Sequence, residues 1–263
     1  MTAAPLLVEQ TADGVATVTF NRPDMHNALD EILIRELTRG FDMLGSDPAC
    51  RMVVLKANGA SFCAGADINW MQRTAKLTRE ENIAEAQNLA LMMKTIYEFP
   101  KPLIAMVQGA TVGGGLGIVA CCDVVVASDA ASFRLSEVKL GLVPAVISPY
   151  VVRAIGVRAA RRYFLTAEPF SATEAKMLGL IHEIVPDRMM AAAAAKLVER
   201  INAGGPKAQM AAKDLLRRVD AGPIDDEIMA YTVELIAKLR ASPEGKEGLA
   251  AFLEKRNPFW PRR

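Results

Sequence analysis

A run of three glycines and a single glutamate are the parts of this 263-residue sequence best suited to chemistry. Gly113–Gly115 follow an apolar stretch, Leu103 to Val107, and lead into an apolar helical run, Leu116 to Cys122. Glycine at a helix start costs backbone entropy, which indicates a purpose other than folding. Without β-carbons, a ligand can approach N–H groups that have no intrahelical partner. The run therefore favours stabilisation of developing negative charge; the alternative is a glycine-rich packing turn.

The glycine spacing argues against a dinucleotide-binding loop. The glycines of this region stand at 109, 113, 114, 115 and 117, so the G-x-G-x-x-G pattern is absent. The run also lies in the middle of the chain, whereas the dinucleotide fingerprint belongs to a first βα unit. Nucleotide phosphates are therefore not the expected ligand.

Glu137 lies in an apolar sequence context. Phe133, Leu135, Val138 and Leu140 surround it. Burial of a carboxyl group raises its pKa toward neutral pH, which suits a group that both takes and gives a proton. The alternative is a surface glutamate, the usual fate of this residue type.

Four motifs together resemble the crotonase superfamily, the enoyl-CoA hydratases and isomerases. They are NRPDMHNAL at 21–29, SFCAGADI at 61–68, the glycine run, and SPEGKEGLAAFLEKRNPFW at 242–260. The resemblance covers nearly the whole chain, with the motifs in the family's order. It implies an α/β fold, the crotonase spiral of ββα repeats, with residues 1–200 as the acyl-CoA-binding core and 201–263 as a helical oligomerisation region.

The resemblance also implies the site. It assigns the thioester oxygen to the N–H groups of Ala64 and Gly114, and the general acid/base role to Glu137. Two preorganised donors suit a reaction that places enolate charge on that oxygen. Substrate and coenzyme A contacts are expected from Ala64, Gly65, Ala66, Asp67, Ile68, Gly114, Arg134, Phe252 and Lys255. For Asp67 a simple helix cap is an equal alternative, and Trp70 and Met71 are candidates for the acyl pocket.

The sequence departs from the family at Gly117. Hydratases of the superfamily usually carry a first glutamate at that position and a second at the position of Glu137. A single glutamate favours the alternative of a double-bond isomerase, which moves one proton between carbons. The segment at 134–156 nevertheless looks closest to bacterial hydratases of branched glutaconyl-CoA substrates, those of methylglutaconyl-CoA in leucine breakdown and isohexenylglutaconyl-CoA in terpene breakdown. We therefore expect a hydratase in which a substrate carboxylate, anchored by Arg134, or a held water replaces the missing group; a solvated Arg134 is the alternative.

Local patterns predict the elements that position these residues. Residues 5–20 alternate around Asp13-Gly14, which predicts a β-hairpin. A helix is expected through Leu29 to Leu44, with Asn27 or Asp30 as its cap. A strand at 52–56 then completes a β-β-α-β cycle. His182 falls in a predicted strand at 181–185 and is expected to be structural.

Composition narrows the functional class. The net charge of +1 offers no general attraction for nucleic acid or an anionic membrane. Four cysteines without a C-x-x-C motif and two separated histidines predict a reduced, cytoplasmic protein without a metal site. No cofactor is implied beyond the coenzyme A of the substrate. RNA binding or scaffolding is a weaker alternative, since the helix at 29–44 offers only Arg35 and Arg39 as cations.

The C-terminal helices carry more apolar residues than they can bury alone. The predicted stripe comprises Ile224, Ile228, Tyr231, Leu235 and Leu239. The resemblance implies homotrimers, with pairing into hexamers left open. It also implies that Lys255 and Phe252 reach the coenzyme A of a neighbouring subunit; a solvated helix-end charge is the alternative for Lys255.

Overall fold

The first β-β-α-β cycle has the predicted form in the computed structural model, which describes residues 4–220 and 222–260. Strands β1 (Leu6–Gln10) and β2 (Val15–Phe20) form the antiparallel hairpin, with Leu6 opposite Phe20. Helix α1 (Glu31–Ser46) follows, and its N-cap is Asp30, whose carboxylate accepts from the Leu33 N–H. Strand β3 (Met52–Ala57) then pairs in parallel with β2.

Two sheets run through the core, and the chain steps repeatedly from one to the other. The larger sheet has the order β1-β2-β3-β4-β6-β9 and adds β4 (Leu103–Val107), β6 (Val124–Ser128) and β9 (Glu183–Val185). The smaller sheet has the order β5-β7-β8, formed by Ala110–Val112, Ser132–Arg134 and Phe170–Ser171. Because β5 follows β4 and β7 follows β6, each passage delivers the chain to the edge where the glycine run lies. This alternation between two sheets is the spiral that the resemblance implies.

Helices cover the sheets and continue beyond them. The helices after α1 are α2 (Ile68–Thr74), α3 (Arg79–Tyr97), α4 (Gly114–Ala120), α5 (Ser148–Thr166), α6 (Ala172–Met177), α7 (Met190–Asn202), α8 (Pro206–Val219), α9 (Asp226–Ala241) and α10 (Pro243–Leu253). The helix expected at Leu116–Cys122 thus begins and ends two residues earlier. The strand expected at 181–185 is shorter; His182 precedes it, and its Nδ1 accepts from the Val125 N–H at 3.0 Å, which confirms a structural role.

Aromatic pairs anchor the core between α1, α3 and the large sheet. Phe20 meets Phe62 edge-on, and Phe41 meets Phe99 in the same way, each with ring centroids 5.2 Å apart. All four rings are almost fully buried. Phe62 precedes the loop 63–67 directly, so its burial fixes one end of a loop that the sequence assigns to the site.

Polar contacts attach the C-terminal helices to the core. Lys213 of α8 forms an ion pair of 2.7 Å with Asp123, at the start of β6. Arg51 donates to the carbonyls of Gly204 (3.1 Å) and Trp260 (2.9 Å). The end of the described chain therefore returns to the base of β3.

The exposed apolar face of α9 differs from the predicted stripe. Ile228, Tyr231, Leu235 and Leu239 are half-buried against the rest of the chain, and only Ile224 of that stripe is exposed. The uncovered face comprises Met229, Val233 and Ile236, which are 58%, 61% and 46% exposed. The stripe thus packs inward, and a second face needs a partner. Within the described part of the chain, each helix is too short or too polar to cross a membrane.

Candidate active site

Glu137 opens a 3-10 turn, Glu137–Leu140, and two residues separate it from the end of β7. Its side chain is half-buried, and burial raises the pKa of its carboxyl group above the ordinary value. Its Oε2 atom is buried without a hydrogen-bond partner among the described residues. An unpaired carboxylate oxygen in a partly dry setting is costly to the fold and well placed to accept a proton from a ligand.

The glycine run lies beneath this carboxylate. A β-carbon on Gly113 would stand 2.9 Å from Glu137 Oε1, and one on Gly114 would stand 2.6 Å from Leu29 Cδ1. Gly113 also has φ +50°, a conformation that favours glycine. The N–H of Gly113 donates to the Arg134 carbonyl at 2.9 Å, whereas that of Gly114 meets no acceptor within the described chain. The Gly114 amide therefore remains available to a ligand beside the carboxylate.

The second expected donor, Ala64, is already engaged. Its N–H donates to the His26 carbonyl at 2.9 Å, so it cannot receive a thioester oxygen without breaking that bond. Ala66 is exposed, and its N–H has no acceptor in the described part of the chain. The free amide of the loop therefore belongs to Ala66, two residues after the one that the sequence indicated.

Leu29 joins the two free amides. Its N–H donates to the Gly65 carbonyl (2.7 Å), and its carbonyl accepts from the Asp67 N–H (2.8 Å), so its backbone brackets Ala66 on both sides. Its side chain is the one that a β-carbon on Gly114 would strike. One buried residue thus contacts both segments that carry a free N–H.

Asp67 is the N-cap of α2, as the capping alternative predicts. Its carboxylate accepts from the N–H groups of Asn69 (2.8 Å) and Trp70 (3.2 Å) and forms an ion pair of 3.0 Å with Arg22. Contact between Asp67 and coenzyme A stays a prediction, as it does for the exposed Ile68 that follows. Trp70, one of the two candidates for the acyl pocket, donates its indole N–H to Glu85 at 3.2 Å.

The position of the usual first glutamate is closed. Gly117 is buried in α4, and a β-carbon there would overlap Ile147, with its Cβ at 2.8 Å and the Met93 Cε at 3.2 Å. Ile147 precedes α5 and is 3% exposed. The space into which a second carboxylate would project is therefore filled by hydrocarbon.

The remaining predicted contacts lie at β7 and at the end of α10. Arg134 ends β7 opposite Val112, and its Nε donates to the Ala167 carbonyl at 2.9 Å, so the side chain is held at its base. Phe252 is 81% exposed in α10, and Lys255 is exposed beyond it with φ +56°. No hydrogen bond or ion pair among the described residues joins either of them to Glu137, and their contact with coenzyme A stays a prediction.

A family model for enoyl-CoA hydratase/isomerase matches residues 10–263. The chain belongs to this family. A crystal structure of an enoyl-CoA hydratase from Shewanella pealeana superposes with a TM-score of 0.94 at 47% identity, over 97% of this chain and 96% of that one. Among curated proteins, the 2,3-dehydroadipyl-CoA hydratase of Escherichia coli is 31% identical over 96% of this chain and 97% of its own. The mevalonyl-coenzyme A hydratase of Aspergillus fumigatus is 31% identical over 97% and 94%.

Membership of the enoyl-CoA hydratase/isomerase family does not decide whether the cysteines are free or whether a metal site is present. Cys50, Cys63 and Cys121 are buried, Cys122 is half-buried, and all four are free thiols. Burial raises the pKa of the Cys63 thiol to about 12, which leaves it unreactive at neutral pH. Within residues 4–220 and 222–260, no cluster of three or more potential metal ligands occurs.

Sequence reasoning missed three residues around the site. Leu29 was assigned only to the apolar face of a helix, yet it precedes α1 and links the free amides. Ile147 carried no visible signal, because its contact with Gly117 joins α4 to the segment before α5. Arg22 lies within the NRPDMHNAL motif. The signal that could have found it is the presence, later in the chain, of two aspartates at expected helix caps, Asp30 and Asp67, which an arginine can bind.

Proposed function

We propose that this protein adds water across the conjugated double bond of an enoyl-CoA thioester. The observation that carries the proposal is the position of the Glu137 carboxylate over Gly113, directly beside the unpartnered Gly114 N–H. The Ala66 N–H, linked to Gly114 through Leu29, supplies the second donor in place of Ala64. Two amides aimed at one oxygen stabilise the enolate that forms when a nucleophile attacks the β-carbon.

A single carboxylate can complete the hydration. Glu137 takes a proton from water while the water oxygen bonds to the β-carbon, and the double-bond electrons move onto the thioester oxygen. The protonated Glu137 then gives that proton to the α-carbon as the thioester carbonyl re-forms. The proton and the hydroxyl arrive from the same face, so the addition is syn. The raised pKa of Glu137 suits both halves of this exchange.

For the acyl chain we propose a branched glutaconyl-CoA such as 3-methylglutaconyl-CoA. Arg134 would anchor its distal carboxylate, since β7 places Arg134 three residues before Glu137 and its Nη atoms extend beyond the Nε bond to Ala167. The relative named for 2,3-dehydroadipyl-CoA acts, by its name, on a dicarboxylic acyl chain, which supports an anchor of this kind.

A test of the acyl chain compares 3-methylglutaconyl-CoA with crotonyl-CoA before and after Arg134→Ala. Loss of an anchoring charge is expected to lower turnover of the glutaconyl substrate by about 10- to 100-fold and to leave crotonyl-CoA within about threefold. Arg158→Ala, an exposed arginine on α5, serves as the matched control. Equal losses on both substrates would remove the anchor from the proposal.

Double-bond isomerisation is the second candidate, and one contact favours it. Ile147 fills the space beside Gly117, so no second carboxylate orients water there, and a lone Glu137 suits a proton shuttle between two carbons. The discriminating experiment offers a conjugated and a β,γ-unsaturated thioester, with Glu137→Gln as control. Hydration consumes the conjugated chromophore, whereas isomerisation creates it without taking up water.

We further propose that the chain works as a homotrimer, alone or paired into a hexamer, in the cytoplasm. The exposed face of α9 and the exposed Phe252 supply apolar surface for such contacts. Phe252 and Lys255 would then reach the coenzyme A of a neighbouring subunit. RNA binding gains no support from α1, whose cations Arg35 and Arg39 stand among four acidic residues, Glu31, Glu36, Asp42 and the N-cap Asp30.

A further inference from the structure

The placement of the Ala66 N–H depends on the backbone of Leu29. Hydrogen bonds on both sides of Ala66 fix the loop to Leu29, at 2.7 and 2.8 Å. Leu29 itself is bracketed by Ala28 and by Asp30, the N-cap of α1. Whatever holds these neighbours therefore holds the Ala66 donor of the proposed oxyanion site.

Arg22 contacts the neighbours on both sides of this pairing. Its Nη1 donates to the Ala28 carbonyl (2.6 Å) and forms an ion pair with Asp30 (2.9 Å). Its Nη2 forms an ion pair with Asp67 (3.0 Å). One guanidinium thus joins the residues that flank Leu29 to the residue that follows Ala66.

The backbone of Arg22 is fixed in turn. Its N–H donates to the Asn27 side-chain oxygen at 2.8 Å, and the Asn27 amide nitrogen donates to the carbonyls of Asn58 and Ser61, both at 2.8 Å. Asn27 is fully buried and has φ +55°. The guanidinium therefore extends from a rigid turn rather than from a mobile loop.

Burial and charge make these contacts strong. The side chains of Arg22, Asp30 and Asp67 are 18%, 13% and 4% exposed. Each carboxylate also accepts from the first N–H groups of a helix, which offsets the charge that one arginine cannot balance. The two Nη atoms serve different acceptors, a geometry that a lysine cannot reproduce from its single nitrogen.

We infer that Arg22 is a positioning residue that holds the Ala66 N–H at the distance from Gly114 required to receive the thioester oxygen. The inference rests on the proposed function. Arg22 touches neither the substrate nor the reacting atoms in this arrangement; it acts through Leu29 and Asp67. Because the oxyanion bonds strengthen as charge develops, misplacement lowers kcat more than it raises KM.

Steady-state kinetics of Arg22→Met and Arg22→Lys test the inference. We expect kcat to fall by about 10- to 100-fold in Arg22→Met, with KM within about threefold of the wild type. Arg22→Lys keeps a cation between the two carboxylates, so it replaces the methionine variant if that variant does not fold. Its kcat should lie between those of the wild type and Arg22→Met. Unchanged kcat in a folded variant, or a loss carried by KM, would overturn the inference.

Arg73→Met is the matched control. Arg73 of α2 donates from Nη2 to both carboxylate oxygens of Glu31 of α1, at 2.7 and 2.8 Å, so it joins the same two helices without a hydrogen bond or ion pair to Ala28, Asp30 or Asp67. Both side chains of this pair are about half exposed. Its kcat should stay within about twofold of the wild type, because exposed ion pairs contribute little and the donor is not displaced. A loss of kcat equal to that of Arg22→Met would show that any link between α1 and α2 has this effect, and it would overturn the specific role of Arg22.

A spectroscopic measurement separates this inference from the proposed function. In Glu137→Gln, which slows turnover, bound cinnamoyl-CoA should absorb at longer wavelength, since the two amides draw electron density onto its carbonyl oxygen. Adding Arg22→Lys should shrink the shift while the dissociation constant changes by less than about threefold. Absence of any shift in Glu137→Gln would sink the oxyanion pair itself. A full shift in the double variant would overturn only the role of Arg22.

Discussion

The burial of Glu137 determines the pH at which the site can work. Its pKa is raised because burial disfavours the charged form. Since the proposed reaction begins with the carboxylate, kcat/KM should fall as the pH drops through this raised value, above the ordinary 4.5 of a glutamate. A pH–rate profile measures this acid limb. Glu137→Gln should lower kcat by about 10²- to 10⁴-fold, and its profile should lack the limb. A limb at or below 4.5 would contradict the raised pKa.

The same raised pKa makes a prediction about stability. The folded state holds its Glu137 proton to higher pH than the unfolded state does. Stability from this group is therefore present below the unfolded pKa and is lost as the pH rises through the folded one. Glu137→Gln, which cannot ionise, should accordingly melt at a higher temperature than the wild type at pH 7, with the difference shrinking toward pH 4. Glu168 is the control, because a hydrogen bond from Arg162 lowers the pKa of its carboxyl group. Glu168→Gln should therefore not gain stability at pH 7. An equal gain in this variant would show that the effect is not specific to burial.

At the level of single residues, the sequence predicted the burial of Glu137 and an unpaired N–H at Gly114, but not the unpaired N–H of Ala66. The apolar residues around Glu137 predicted that its side chain is shielded from solvent, and its role in proton transfer is part of the proposed function. The choice between Ala64 and Ala66 depends on which N–H the fold has already used, and the His26 carbonyl that engages Ala64 lies 38 positions earlier in the chain. Hydrogen bonds between distant turns leave no periodic signal, so such an assignment needs the structure.

Among the elements, α4 shows how packing decides what its residues can be. Gly117→Ala would drive a methyl group into Ile147 and against Met93. We expect it to lower the free energy of unfolding by about 1–3 kcal/mol, the usual cost of overpacking. Ile147→Ala alone should also destabilise, by about 2–5 kcal/mol, because it leaves a cavity.

The double variant Gly117→Ala/Ile147→Ala tests the contact directly. The new methyl group occupies space that the isoleucine vacates, so the combined loss should be at least about 1 kcal/mol smaller than the sum of the single losses. Urea denaturation of the four proteins measures this coupling. Strict additivity would mean that the two residues do not compete for the same volume.

The elements themselves were predictable where a local pattern was strong. The Asp13-Gly14 hairpin, the capped helix α1 and the strand at 52–56 all follow from spacing and turn chemistry. The start of α4 at Gly114 was not, because glycine has a poor helical propensity. The glycines are required there by the close approach of Leu29 to Gly114 and of Cys63 to Gly115, which leaves no room for a β-carbon. The predicted start of α4 was therefore two residues too late.

For the whole molecule, the resemblance predicted the spiral, which periodicity alone could not have shown. The step from the large sheet to the small one, through β4 to β5 and β6 to β7, depends on pairings between strands far apart in the chain. The inward-facing side of α9 could not be predicted either, since the helix is apolar on two sides. Its contacts with α8 and α10 favour the side that turns inward.

The outward face of α9 carries the prediction for assembly. Met229, Val233 and Ile236 are spaced for one helical face and lie about half exposed. If this face is covered by other copies of the chain, Val233→Lys would bury a charge without a partner and should weaken assembly by more than about tenfold in dissociation constant. Glu234→Lys, a change to the same residue type at the exposed neighbouring position, should leave assembly intact. Sedimentation velocity over a range of concentrations distinguishes the two. Equal behaviour of both variants would show that this face stays in solvent, because only a contact at Val233 makes the position of the lysine matter.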